Sequence, residues 1–232
     1  MIARDVYCRP ILCLVTDRRR LAERLAMDPS GDAILERLVS QAAEAADAGV
    51  DWIQVRERDL GARVLSDLVD RVVAVVRERA KVIVNDRLDV AIGSGAGGVH
   101  LGERSVPSDR ARAIVQAGFS VGVSRHTPAA AGGVGAVDYV IAGTVFASRS
   151  KPEAAPLLGL EGLAAACRLS RVPVIAIGGI TVHTSARVVA AGAAGVAAID
   201  LFLPAAAGAR DRSLQAIVSR MHEMFDSVRS VS

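Results

Sequence analysis

Eight short apolar runs, each closed by polar residues or glycine, recur along this chain of 232 residues with helical patterns between them. That alternation constrains the fold more than any other feature. The runs cover 11–16, 52–56, 81–85, 98–101, 120–124, 139–146, 173–179 and 195–202. They are near-continuous rather than alternating, as expected for strands buried on both faces of a parallel sheet. The clearest helical pattern spans 32–47, with Ile34, Leu35, Leu38, Val39, Ala42, Ala45 and Ala46 on one face and Gly49 as its stop. The same logic marks 62–79, 107–116, 160–169, 184–191 and 212–229, with a short helix at 89–94. The segment 128–136 carries Gly132, Gly133 and Gly135 and is expected to be frayed or loop-like. Asp47-Ala48-Gly49-Val50-Asp51-Trp52, Gly95-Ala96-Gly97-Gly98-Val99-His100 and Ala191-Gly192-Ala193-Ala194-Gly195-Val196 each read as a helix end, a glycine cap and a strand start. Eight such units without a Ser/Pro-rich linker predict one α/β domain over 1–232, a single (β/α)8 TIM barrel. An open doubly wound sheet is the alternative. It needs a Gly-rich turn after the first strand, where Thr16-Asp17-Arg18 stands instead.

Composition narrows the function classes. Aromatic residues make up 3% of the chain, which argues against a nucleic-acid face built on stacked rings. The net charge of +3 is spread over 28 basic and 25 acidic residues, so it makes no basic stripe. The one dense basic run, Arg18-Arg19-Arg20, reads as a solvated loop. Cys8, Cys13 and Cys167 are odd in number and irregularly spaced, which excludes a disulfide framework or a zinc site. Cys13, within an apolar run, reads as a small buried hydrophobe. No apolar stretch is long enough for a membrane helix, and no signal peptide is evident. The expectation is a cytoplasmic enzyme with small-molecule, anionic ligands, and no nucleic-acid or membrane partner.

In a barrel, chemistry gathers at the C-terminal strand ends. Gln54, Arg56 and Arg58 alternate at the second, so they share one side. With Lys151 they suit a diphosphate, because guanidinium forks grip phosphate oxygens. The competing assignment is a surface ion-pair cluster with Glu57 and Asp59. Asn85-Asp86 ends the third strand, and Ser124 and His126 stand at the fifth. Gly178-Gly179 before a helix offers backbone N–H groups to a phosphate, with the loop after strand eight as its partner. His183 and His222 fall on helices and are expected to face solvent; His100 is left open.

In order along the chain, these motifs resemble the thiamine phosphate synthase and TenI superfamily. Leu14-Val15-Thr16-Asp17 opens the likeness. Gln54-Val55-Arg56-Glu57-Arg58 resembles its Q-x-R-E-K, and Asn85-Asp86-Arg87-Leu88-Asp89 its N-D-R-x-D. Gly98-Val99-His100-Leu101-Gly102, Gly122-Val123-Ser124-Arg125-His126-Thr127 and Ala176-Ile177-Gly178-Gly179-Ile180 follow. The resemblance implies a transferase of thiamine biosynthesis that joins hydroxymethylpyrimidine diphosphate to thiazole phosphate. By that resemblance Gln54, Arg56, Arg58, Asn85, Ser124 and Lys151 hold the pyrimidine diphosphate, and Asp86 carries Mg2+. Ser148, Ser150, Gly179 and the Ile199-Asp200 backbone hold the thiazole phosphate. Arg56, Lys151 and His126 are the candidate catalytic residues. A homodimer is the oligomeric expectation.

Three positions depart from the pattern. Ser105 stands where a second metal-binding Asp is usual, which leaves Glu103 as a candidate second ligand beside Asp86. Asp200 stands where Ser is usual. A carboxylate ~5 Å from a phosphate charge costs about 3 kcal/mol at an effective dielectric of ~20. Arg58 replaces Lys, keeping the charge and changing its geometry. The TenI branch offers a second function: a metal-free thiazole tautomerase, with His126 as its acid/base. A non-catalytic ligand-binding barrel with an altered site is the third.

Overall fold

A computed structural model describes residues 9–149, 156–204 and 213–229. Its strands are β1 (Ile11–Val15), β2 (Trp52–Val55), β3 (Lys81–Asn85), β4 (Gly98–Leu101), β5 (Ser120–Arg125), β6 (Tyr139–Gly143), β7 (Val174–Ile177) and β8 (Gly195–Ala198). Every neighbouring pair is parallel, and β8 pairs with β1, so the sheet closes on itself. Around it lie α1 (Arg18–Leu25), α2 (Asp32–Asp47), α3 (Ala62–Val76), α4 (Leu88–Gly93), α5 (Ser108–Ile114), α6 (Pro128–Gly132), α7 (Gly159–Leu169), α8 (Val182–Ala190) and α9 (Leu214–Arg229). This is the eight-stranded TIM barrel that the alternation predicts. No helix among the described residues is long and apolar enough to cross a membrane.

Local chemistry accounts for most of the boundaries. The inner face of α2 buries Ile34, Leu38, Val39, Ala42, Ala45 and Ala46, and Gly49 follows it at φ +92°. Thr127 caps α6 by accepting from the Ala130 amide, and the glycines after it end the helix at Gly132. The last three strands stop at Gly143, Ile177 and Ala198, short of the 146, 179 and 202 read from sequence. Gly178 and Gly179 turn the chain after β7 with φ of +103° and +63°. Beyond β8 the apolar run continues as a 3-10 turn whose Phe202 is buried beneath the helices.

The Arg18-Arg19-Arg20 run is not a solvated loop. It is the first turn of α1, capped by Asp17, whose side chain accepts from the Arg20 amide at 3.1 Å. Leu21 and Ala22 anchor the helix, and Arg18 itself is 8% exposed. His183 is exposed as expected, whereas His222 is half-buried, with its Nε2 3.3 Å from Arg9 Nη1. Cys13 is buried in the barrel interior, and burial pushes its thiol up to about 12. Cys13 is a free thiol, and Cys8 lies outside the described residues.

Two hydrophobic layers result. One lies between barrel and helices, and the other fills the barrel with Ile11, Cys13, Val15, Trp52, Ile83, Tyr139, Ile141, Ile175 and Ala197. Trp52 and Tyr139 meet edge to face at 4.7 Å. Tyr139 fits because its neighbour in register is Gly122. A Cβ at Gly122 would stand 2.0 Å from the tyrosine ring. Gly122→Ala is therefore expected to lower unfolding free energy by about 1–3 kcal/mol, the usual cost of overpacking a core. Urea denaturation of the two proteins checks this, and an unchanged midpoint would show that the ring moves freely.

Candidate active site

Inward positions change character near the C-terminal ends of four neighbouring strands. Two residues along each strand, Trp52 gives way to Gln54, Ile83 to Asn85, Gly98 to His100 and Gly122 to Ser124. A period of two keeps each pair on one face. The barrel is thus plugged by apolar side chains below and floored with hydrogen-bonding groups above. Over that floor lies a cavity of about 880 Å³.

The loop after β2 carries Arg56 and Arg58 into the cavity. Glu57 and Asp59 do not pair with them. Glu57, 5% exposed, accepts from the Thr16 hydroxyl at 2.7 Å, the Arg18 amide at 3.1 Å and Arg18 Nη1 at 3.2 Å. Asp59 takes the Arg18 fork at 2.6 and 2.8 Å, which holds its carboxyl well below the usual range. The Thr16 hydroxyl also accepts the Arg56 amide at 2.9 Å. Arg18, with Arg19 on Asp59, therefore pairs with the acids on the outer side of the loop. Arg56 and Arg58 are left without an ion-pair partner among the described residues. Burial, followed by the Arg58 charge, lowers the Arg56 pKa, yet a guanidinium remains cationic. The ion-pair-cluster assignment of these arginines is thereby overturned.

Gln54 Nε2 donates to Asn85 Oδ1 at 3.1 Å, and Asn85 Nδ2 donates to Asp86 Oδ2 at 2.9 Å. The Gln54 Oε1 atom is buried without a partner among the described residues. Asp86 adopts φ +62°, a left-handed conformation that costs a non-glycine residue about 1–2 kcal/mol. Its Oδ1 accepts from the Gly102 amide at 3.0 Å and from the Ser105 hydroxyl. Burial raises this carboxyl. The hydrogen bonds from Ser105, Gly102 and Asn85, with the Arg58 charge, outweigh burial and hold it below its ordinary value. Ser105 thus supports Asp86 as a donor. Glu103 is exposed and faces His126, with Oε1 4.0 Å from Nε2. Among the described residues no group of three or more His, Cys, Asp and Glu side chains is arranged to hold a metal ion.

His100 lies 3% exposed inside the barrel, stacked on Tyr139 at 5.7 Å. Its Nε2 is 2.8 Å from Ser124 Oγ, and its Nδ1 has no partner among the described residues. A proton on Nε2 avoids a buried orphan N–H, so that tautomer is assigned. Ser124 Oγ then accepts from His100 and keeps its own proton for a ligand. His126 Nδ1 lies 2.5 Å from the Gly143 carbonyl, which can only accept. Its proton is therefore on Nδ1, and Nε2 carries the open lone pair.

The opposite wall comes from the last two units. Gly179 and Ile180 precede α8, and their amides donate to no group among the described residues. A Cβ on Gly179 would stand 2.5 Å from the Ala147 carbonyl, so glycine is needed for the approach. Ser148, Gly179, Ile199 and Asp200 line this end. Asp200 does not stand alone. Arg20 Nη1 reaches both of its carboxylate oxygens at 2.7 Å.

The structure therefore brings Gln54, Arg56, Arg58, Asn85, Asp86, Glu103, Ser124, His126, Ser148, Gly179, Ile199 and Asp200 around one cavity. Ser150 and Lys151 lie outside the described residues. Sequence reasoning missed Arg20, the Thr16–Glu57–Arg18 network and the interior place of His100. The signal for Arg20 was Thr16-Asp17 ahead of Leu21, Ala22 and Leu25, a helix cap followed by an apolar face.

A family model described as thiamine monophosphate synthase matches residues 12–202. A protein of Roseiflexus castenholzii named thiamine-phosphate synthase is 37% identical over 200 residues, covering 85% of this chain and 82% of that protein. One of the same name from Methanoculleus marisnigri is 46% identical over 163 residues, covering 67% and 75%. Among solved structures, a thiamine phosphate pyrophosphorylase from Pyrococcus furiosus superposes with a TM-score of 0.73 at 27% identity, covering 94% of this chain and 96% of that one.

Proposed function

The chain belongs to the thiamine monophosphate synthase family, and on that footing we propose that it joins hydroxymethylpyrimidine diphosphate to thiazole phosphate, releasing inorganic diphosphate. The observation that carries this reading is the pair Arg56 and Arg58, aimed into the cavity while Arg18 satisfies the neighbouring acids. As the pyrimidine C–O bond ionises, negative charge grows on the departing diphosphate. Fixed cations that make no competing ion pair stabilise that charge without reorganising. Asn85 and Ser124 supply donors beside them, and Gln54 offers an open buried acceptor. Lys151 belongs to this set on the strength of the family motif. The carbocation is captured by the thiazole nitrogen, with the thiazole phosphate held by Ser148, Ser150, the Gly179 amide and the Ile199-Asp200 backbone.

Asp86 fits a Mg2+ that takes one protein carboxylate and completes its shell on diphosphate and water. It is ionised, faces the cavity and keeps a lone pair on Oδ2 beyond those used by Ser105, Gly102 and Asn85. When bound, the ion would neutralise part of the diphosphate charge as it leaves. Glu103 is the candidate second carboxylate, because the other two that line the cavity, Glu57 and Asp200, are paired with Arg18 and Arg20. His126 favours a second reading, metal-free thiazole tautomerisation, because its open Nε2 is a fixed proton acceptor.

One experiment separates these. Purified protein receives both synthase substrates with Mg2+ or with EDTA, and thiamine phosphate and diphosphate are quantified. Product that appears with Mg2+ and vanishes with EDTA is expected. No product under any metal condition ends the synthase reading. Tautomerisation that survives EDTA and is lost in His126→Ala would install the second one. In Glu103→Ala, an unchanged Mg2+ dependence would remove Glu103 as a surrogate ligand.

A further inference from the structure

We propose that Arg20 is a specificity residue for the phosphate monoester substrate, acting as the counter-charge that lets a phosphate sit beside Asp200. The inference rests on the synthase reading above and deepens it.

Asp200 follows β8 on the wall where the Gly179 and Ile180 amides, which donate to no group among the described residues, also lie. Those amides and the start of α8 make this the anion-binding end of the cavity. A bare carboxylate there opposes a dianionic ester. Arg20 removes that opposition: its Nη1 contacts both Asp200 oxygens at 2.7 Å, across 180 residues of sequence. The guanidinium is itself held. Its Nε lies 3.5 Å from Asp17 Oδ2, and its side chain is 13% exposed. Asp17 is committed to capping α1, where the helix dipole offsets part of its charge. Arg20 is thus locked between two elements and aimed at Asp200 by the backbone. It is not a mobile surface charge that happens to meet an acid. Both Arg20 and Asp200 line the cavity.

Charge arithmetic sets the expected size. Without Arg20, the Asp200 carboxylate would face a phosphate through partly screened solvent, since Asp200 is 43% exposed. The resulting loss of affinity is roughly ten- to hundredfold, and it applies to the ester alone. An uncharged thiazole alcohol would not feel it. The pair therefore tunes which form of the thiazole is accepted, with no need for Arg20 to touch the substrate.

The test is a double-mutant cycle in the full chain, read by steady-state kinetics and by calorimetric binding of the thiazole phosphate ester and of its alcohol. Arg20→Gln should raise KM and Kd for the ester ten- to hundredfold. The kcat, the KM for the pyrimidine diphosphate and the alcohol's affinity should stay within about twofold. Asp200→Ser alone should bind the ester at least as tightly as the parent. Combining the two should restore ester binding to within about threefold of the parent, because the repulsive charge is gone. An Arg20→Gln variant with unchanged ester affinity overturns the proposal. So does a double variant that stays as weak as Arg20→Gln, since Arg20 would then act directly or by holding the fold. Failure of the parent to form thiamine phosphate would sink the synthase reading instead, and ester binding would still report on the pair.

Discussion

Acidification from about pH 6.5 to about pH 4.5 is expected to remove roughly 3 kcal/mol of stability through one side chain, His100. Burial is the main cause: it depresses this imidazole from 6.5 to about 3, and the charges of Arg56, Arg58 and Arg125 add to the effect against the pull of Asp86. Between those two values the unfolded chain binds a proton that the native protein refuses. Stability from this group is therefore whole above about pH 6.5 and falls by about 1.4 kcal/mol for each unit below it, reaching about 5 kcal/mol near pH 3. Burial also lowers His222, with the same sign, but that group is only half-buried and persists in a His100 variant. Asp59 and Asp86, held low, contribute losses only below the ordinary aspartate range, while burial raises Glu57 and gives it the opposite sign. Urea denaturation of the parent and of His100→Gln at several pH values isolates the contribution of this imidazole: the parent should show the steeper acid limb. Parallel limbs down to about pH 4.5 would mean that His100 is not kept neutral by its site. Should the variant fold poorly, the nitrogen shifts of the His100 imidazole in the parent answer the same question.

The barrel was legible because strand burial and helix amphipathicity are written locally. The helix at Asp32–Asp47 was read to the residue, since its apolar face repeats over four turns and Gly49 ends it. The ends of the last three strands were not. Apolar content reports burial, and Val145 and Phe202 are buried against helices outside the strands proper. The cavity residues were legible as polar side chains at strand ends, where an unused Gln or Asn would be costly. Their pairing was not, because it is set by distant partners. Arg18 meets Glu57 and Asp59 at separations of 39 and 41 residues, and Arg20 meets Asp200 at 180. Sequence exposed the charge conflict at Asp200 while assigning its resolution, Arg20, to a loop. His100 shows the same limit: its motif marks it, but only the closed barrel shows that the ring is buried over Tyr139.

Replacing Arg56 by Met should make the protein a much poorer catalyst and a no less stable fold. In the native state this guanidinium is half-buried, adjoins Arg58 and has no ion-pair partner among the described residues. A desolvated, unpaired charge is a burden on the folded state, and an apolar chain of similar length relieves it. The Thr16 hydroxyl bonds the Arg56 amide, so the loop keeps its anchor after substitution. The midpoint of thermal unfolding should stay level or rise by a few degrees. The burden has a catalytic counterpart, because a cation that makes no ion pair among the described residues is available to the charge that grows on diphosphate. Its loss should lower kcat by roughly 10²- to 10³-fold, the scale seen when one preorganised donor is removed from a developing anion. Arg56→Lys should recover only part of that rate, since an ammonium supplies a point charge without the two-toothed fork. Steady-state kinetics beside thermal denaturation decide the matter. A variant that loses stability together with rate would recast Arg56 as part of the scaffold, and one within tenfold of the parent kcat would remove it from the chemistry. The expected divergence, activity falling while stability holds, is what separates a group retained for its charge from one retained for its packing.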